Sequence, residues 1–91
     1  MKKRIHLFIS GRVQGVNFRW FARHFARKHD ITGWVKNLDD GRVELVAEGD
    51  KNQLEAFVEY LKNGQPFAKV EKIEFKKDDL IENFESFDII F

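Results

Sequence analysis

The 91-residue chain contains no cysteine. That absence removes disulfide staples, thiolate nucleophiles, iron–sulfur clusters and cysteine-type zinc sites in one step. Proline occurs once, at Pro66, and no repeat, low-complexity stretch or linker divides the sequence. One domain over residues 1–91 is therefore expected, since domains usually run ~100–150 residues. Long apolar runs are also missing. The stretch after Met1-Lys2-Lys3-Arg4 is interrupted by His6 and ends at Ser10-Gly11-Arg12, too short for a signal peptide or a membrane span. A cytoplasmic address with no membrane partner is the expectation. Excess charge is lacking as well: sixteen Lys/Arg stand against fifteen Asp/Glu, and a net +1 selects no partner.

What is present begins with aromatics. Ten Phe and two Trp supply a core and argue against disorder. The near-neutral total also conceals a division. Residues 1–42 carry ten basic and three acidic side chains, whereas residues 43–91 carry six and twelve. An anion site fits the first part, with the second offsetting its self-repulsion. Charge alone does not separate a small phosphate from a polynucleotide.

Ile5, Leu7 and Ile9 alternate with His6, Phe8 and Ser10, which predicts a first strand. At Phe18 the period changes, and Phe18, Phe21, Ala22, Phe25 and Ala26 form a helical core stripe ended by Asp30 or Thr32-Gly33. Residues 33–37 read as a second strand, and Asp39-Asp40-Gly41 is a hairpin signal leading into a third strand over 42–48. In that third strand Val43, Leu45 and Ala47 face one way. Arg42, Glu44, Val46 and Glu48 face the other and read as solvated. Asp50 with Gln53 resembles a capping box before the stripe Leu54, Phe57, Val58 and Leu61, and Asn63-Gly64 reads as the stop. Val70, Ile73 and Phe75 mark a fourth strand whose phase slips by one, as at a bulge. Phe87, Ile89 and Phe91 mark a short closing strand after an acidic loop over 77–85.

The order β-α-β-β-α-β with a terminal strand suits an α+β ferredoxin-like sandwich, an antiparallel sheet with both helices on one face. Right-handed crossover makes the first and second strands parallel with the third between them. The segment 11–17 and Asn37 then share one rim of the sheet.

Two glycines in the strand–helix connection, Gly11 and Gly15, allow inward-turned N–H groups beside a helix N-terminus, an arrangement that favours an anion. Glycines in such a connection are also ordinary turn chemistry, and short glycine motifs are weak markers. Arg19 is less easily explained. A cation in a first helical turn opposes the macrodipole unless an anion binds there, and its fork can take two phosphate oxygens. Arg23 and Arg27, at successive helical turns, read more simply as a solvated face. Asn37 ends a strand before a turn, where Asn is common; on the shared rim, its amide is also placed to orient a water without ionising.

"GRVQGVNFR" at 11–19 and "GWVKNLDDGRVE" at 33–44 closely resemble the two signature segments of the acylphosphatases. Length, element order and spacing agree along essentially the whole chain. The resemblance implies a ferredoxin-like fold and hydrolysis of acyl phosphates to a carboxylate and inorganic phosphate, with no metal or cofactor. By position, Arg19 resembles the family's phosphate-binding arginine and Asn37 its water-orienting asparagine. Gly11, Arg12, Val13, Gln14, Gly15, Val16, Asn17 and Phe18 resemble its phosphate cradle. Asn17 departs from the small residue, commonly glycine, of many members; it tolerates left-handed backbone and is able to cap the helix.

The implied chemistry suits the composition. A carboxylate leaves without a general acid, and phosphoryl transfer rests on positioning and charge stabilisation. His6, His24 and His29 lack metal-ligand spacing, and no hydroxyl has a persuasive acid–base partner. The expected partners are a small acyl phosphate as substrate and inorganic phosphate as product and competitive inhibitor, with the protein a monomer. An RNA-recognition domain shares the element order, but the third strand lacks the exposed aromatics such domains use, so no nucleic-acid partner is expected. An acylphosphatase-like domain that keeps its anion pocket for binding or regulation is a further alternative.

Overall fold

The computed structural model describes all of residues 1–91. Its elements are β1 (Lys2–Arg12), α1 (Phe18–Lys28), β2 (Thr32–Asn37), β3 (Val43–Asp50), α2 (Lys51–Glu59), β4 (Lys69–Phe75) and β5 (Phe87–Ile90). One π-helical turn, Tyr60–Gly64, extends α2 to the expected Asn63-Gly64 stop. The sheet order is β4-β1-β3-β2-β5. β3 lies antiparallel between β1 and β2, as the crossover rule requires, and β4 pairs antiparallel with β1.

Alternation in β1 sends Leu7 and Ile9 to the helix-covered face, where they are fully buried with Leu45 and Ala47 of β3. Phe18, Ala22 and Ala26 of α1 and Leu54, Phe57 and Leu61 of the second helical segment close this core from above. Complete burial of a Leu or Phe side chain stabilises by roughly 1.5–3 kcal/mol, so this layer supplies the main driving force for the fold. Helix α1 stops through backbone geometry. Asp30 takes φ 56°, and the Ile31 N–H donates to the Ala26 carbonyl at 2.9 Å, a Schellman closure.

Four expectations need correction. The sheet is mixed, because β5 runs parallel to β2, with Gly33 opposite Phe87 and Val35 opposite Ile89. The chain leaves β4 at one edge and must cross the sheet to reach β2 at the other; arriving from that side reverses the strand's sense. Secondly, residues 76–86, which make this crossing, cover part of the face opposite the helices, so only its Arg42 and Glu44 end keeps contact with solvent. Val46 and Glu48 of β3 are fully buried there. Glu48 accepts from the backbone N–H groups of Glu82 and Asn83, at 2.6 and 2.9 Å, and pairs with Arg4 at 3.3 Å. Arg4 also meets Asp78 at 3.0 Å, and His6 lies between Glu44 (2.6 Å) and Asp78 (3.2 Å). Thirdly, neither Asn17 nor Asp50 makes a side-chain capping bond, although both occupy N-cap positions. Finally, β1 runs two residues further than its alternation indicated and takes in Gly11 and Arg12.

The phase slip in β4 is a bulge. Ser10 pairs with Lys72 but Gly11 with Val70, so Glu71 has no partner residue.

Candidate active site

Gly11 faces that bulge. It holds φ +124°, and a Cβ there would collide with the Lys69 carbonyl oxygen and the Glu71 nitrogen. Its conformational freedom therefore serves close approach to β4. Arg12, paired with Lys69, directs its guanidinium to the Phe67 carbonyl at 3.4 Å. The connection between β1 and α1 is thus only Val13–Asn17.

This short loop is fixed by the packing around it. Val13 is buried in the core and Val16 packs against its edge. The Gln14 side-chain amide donates to the carbonyls of Leu38 and Arg42, at 2.8 and 2.9 Å, which ties the loop to the β2–β3 hairpin. The backbone at Gly15 (φ +75°) and Asn17 (φ 62°, ψ 23°) is left-handed, so the chain reverses within one turn. Asn is among the residues that tolerate that region, and Asn17 adopts it at the head of α1.

None of the molecule's loop or turn hydrogen bonds uses the N–H groups of residues 14–17 as donors. The first helical bond runs from the Phe21 N–H to the Asn17 carbonyl at 3.1 Å. The N–H groups of Phe18, Arg19 and Trp20 are consequently the orphan donors of the α1 N-terminus. Loop and helix together present unpaired donors and the positive end of a dipole at one place.

Arg19 follows in the first turn of α1, a turn without any acidic residue. It takes part in none of the molecule's ion pairs. Its guanidinium lies over the ring of Phe91, with Cζ 5.0 Å from the centroid. Asn37 is the last residue of β2, opposite Val43. Its Oδ1 is buried and has no hydrogen-bond partner within the protein, an unusual condition for a polar atom.

These groups line one cleft of about 240 Å³, formed by Val13, Gly15, Asn17, Phe18, Arg19, Trp20, Asn37 and Ile89. Arg19, Asn37 and the middle of the loop are therefore brought together as expected from the sequence. Gly11, Arg12, Gln14 and Val16 do not line it; they build its frame. Trp20, Ile89 and Phe91 were not foreseen. Trp20 lies outside the apolar stripe of α1, and Ile89 enters only because β5 pairs with β2 in parallel register. No carboxylate lines the cleft. The Asp40 carboxylate of the hairpin is engaged elsewhere, accepting from the Arg42 backbone N–H at 3.0 Å and its Nε at 2.8 Å. Those bonds hold its carboxyl below the usual range. A small basic cleft with amide donors, one arginine and one uncommitted amide oxygen is suited to a tetrahedral oxyanion. A slightly larger hollow of about 290 Å³ lies between α2 and the sheet edge; its apolar floor of Ile5, Leu54, Val58 and Phe75 is rimmed by Lys3, Lys51 and Lys62 with Glu55 and Glu59, and it has no arginine.

The comparisons with known proteins agree. A family model described as Acylphosphatase matches residues 5–89. An acylphosphatase of Bacillus subtilis strain 168 is 48% identical over 85 residues, covering 93% of each chain. The crystal structure of acylphosphatase from Bacillus subtilis superposes with a TM-score of 0.92 at 46% identity, covering all of both chains. An acylphosphatase structure from Coxiella burnetii gives 0.90 at 38% identity, covering 98% of this chain and 93% of that one. With the fold, the signature segments and the family model in accord from end to end, this chain belongs to the acylphosphatase family.

Proposed function

We infer that this acylphosphatase hydrolyses the carboxyl–phosphate bond of acyl phosphates to a carboxylate and inorganic phosphate. The observation that carries this reading is the cleft in which free N–H groups of loop and helix, Arg19 and the unpaired Oδ1 of Asn37 meet. In this reading the amides and Arg19 hold the phosphoryl oxygens and take up their charge. Asn37 Oδ1 accepts a hydrogen bond from a water and fixes it in line with the scissile P–O bond. That water's oxygen bonds to phosphorus as the acyl oxygen leaves with the bonding pair. The water's proton passes to a phosphoryl oxygen, so no ionising side chain is needed.

The same reading takes the working unit as a monomeric single domain of the cytoplasm. No helix of the structure is long and apolar enough to cross a membrane. Residues 76–86 lie over the sheet face that RNA-recognition domains leave open for stacking, which supports a small-molecule substrate over a nucleic acid.

Benzoyl phosphate hydrolysis tests the reading. Turnover that persists in EDTA, is inhibited competitively by phosphate and falls in Arg19→Ala is the expected result. A well-folded wild type without turnover would refute the enzymatic reading and leave an anion-binding domain.

A further inference from the structure

The phosphate cleft does not end at Arg19. Trp20 lines it and also lines a second depression of about 410 Å³ on the outer face of α1, together with Arg23, His24, Arg27 and Lys28. The indole is 47% exposed, yet it is not loose. It stacks on His24 with ring planes 6° apart and centroids 5.2 Å apart, and meets Phe21 edge-on at 5.1 Å. The depression is strongly cationic. Helix α1 contains no acidic residue, and Arg23 and Lys28 form no ion pair. Only Arg27 is engaged, with Asp88 at 3.3 Å and the Phe87 carbonyl at 3.1 Å.

Cations at one-turn spacing along a helix repel one another, and solubility alone is served equally well by alternating signs. This row, in which only Arg27 has an acidic partner, starts at the cleft and leads away from it over a fixed aromatic surface. Arg23 lies four residues beyond Arg19, about 6 Å along the axis at 1.5 Å per residue.

Resting on the acyl phosphate reading above, we propose that Trp20 and Arg23 form a subsite for the acyl portion of the substrate. That subsite selects acyl groups bearing a second anionic group a few carbons from the carbonyl. The phosphoryl group occupies the cleft, the carbon chain lies across the indole, and the distal anion meets Arg23 with Lys28 behind it. Arg23 here is a specificity residue that touches the leaving group and takes no part in bond breaking.

Matched substrates test this. Butanoyl phosphate and succinyl phosphate differ by a terminal methyl against a carboxylate; 3-phosphonopropanoyl phosphate carries a phosphonate at the same place. Wild type should show a KM for the anionic acyl groups about five-fold below that for butanoyl phosphate, the upper range for an exposed ion pair. Values of kcat should stay similar across the series. In Arg23→Gln that KM ratio should fall to about one, and Arg23→Lys should restore part of it. Raising ionic strength to about 1 M, where the screening length is about 3 Å, should collapse the wild-type ratio in the same way. Preference for the carboxylate alone, the phosphonate alone or both supports the subsite and names its ligand. A wild-type ratio of one, or a ratio unchanged by Arg23→Gln, overturns it while leaving acyl phosphate hydrolysis intact. Failure to turn over any of the three substrates would instead sink the underlying reading and the subsite with it.

Discussion

Glu48→Gln is the substitution whose cost can be worked out most fully from the structure. The Glu48 carboxylate is completely buried and serves three donors: the N–H groups of Glu82 and Asn83 and the Arg4 guanidinium. Gln keeps the shape but replaces one acceptor oxygen with an NH₂ and removes the charge. An NH₂ in place of Oε1 faces the Asn83 N–H, and one in place of Oε2 faces both the Glu82 N–H and the arginine, so at least one donor is left unsatisfied at a cost of about 1–3 kcal/mol. The Arg4 side chain is only 6% exposed, so loss of a carboxylate partner adds to that cost, although Asp78 and Glu82 still balance part of its charge. A total of about 3 kcal/mol is expected. For a domain of this size that lowers Tm by roughly 12–24 °C. Urea unfolding followed by tryptophan fluorescence should show a lower midpoint at unchanged slope. Arg4→Met/Glu48→Leu should not recover the loss, because the leucine leaves the Glu82 and Asn83 N–H groups without an acceptor and Asp78 without its arginine. A Glu48→Gln variant within about 0.5 kcal/mol of wild type, an ordinary surface effect, would refute the claim that Glu48 pins residues 76–86 across the sheet.

Three further outcomes follow from the same contacts. Bonds from Arg4, the Leu80 N–H and His6 hold the Asp78 carboxyl below its usual range. A depressed folded value stabilises the protein above the unfolded value of about 3.9 and is lost as pH falls through the lower folded value. Asp78→Asn should therefore flatten the acid limb of a Tm-against-pH curve below about pH 4 and leave its shape near pH 7 unchanged. Asn17→Gly should change stability by only a few tenths of a kcal/mol, whereas Asn17→Val, β-branched at φ 62°, should cost about 1–3 kcal/mol by thermal denaturation. Gly11→Ala should destabilise by at least 1–2 kcal/mol through its overlap with β4 backbone, and phosphate binding should weaken only to the extent that the fold does.

Much of the frame was legible because local periods and the buried face agree. Ile5, Leu7 and Ile9 alternate, the stripe from Phe18 to Ala26 has helical spacing, and Asp39-Asp40-Gly41 marks the hairpin. The crossover rule then places Arg19 and Asn37 on one rim, and the signature segments give them roles. Residues 76–86 were not legible. That segment has no periodicity and is held by its own backbone N–H groups against a carboxylate on a distant strand, so Glu48 reads as a solvated strand residue when it is a buried anchor. The extent of β1 was hidden for a similar reason: Gly11 and Arg12 look like loop, and only the pairing partner in β4 makes them strand. Trp20 and Ile89 reach the cleft through helix rotation and the parallel register of β5, neither of which leaves a local pattern.

The central claim is a division of labour in one cleft, with Arg19 and the amides holding phosphate and Asn37 placing the water. Measuring kcat for benzoyl phosphate and Kd for inorganic phosphate on Arg19→Ala and Asn37→Ala tests it most directly. Asn37→Ala should lower kcat by about 10²–10³-fold, the usual cost of losing one placed polar group, with phosphate Kd within about two-fold of wild type. Arg19→Ala should raise phosphate Kd at least ten-fold, about 1.4 kcal/mol for a lost charge-assisted pair. Full turnover in Asn37→Ala, or undiminished phosphate binding in Arg19→Ala, would contradict the account.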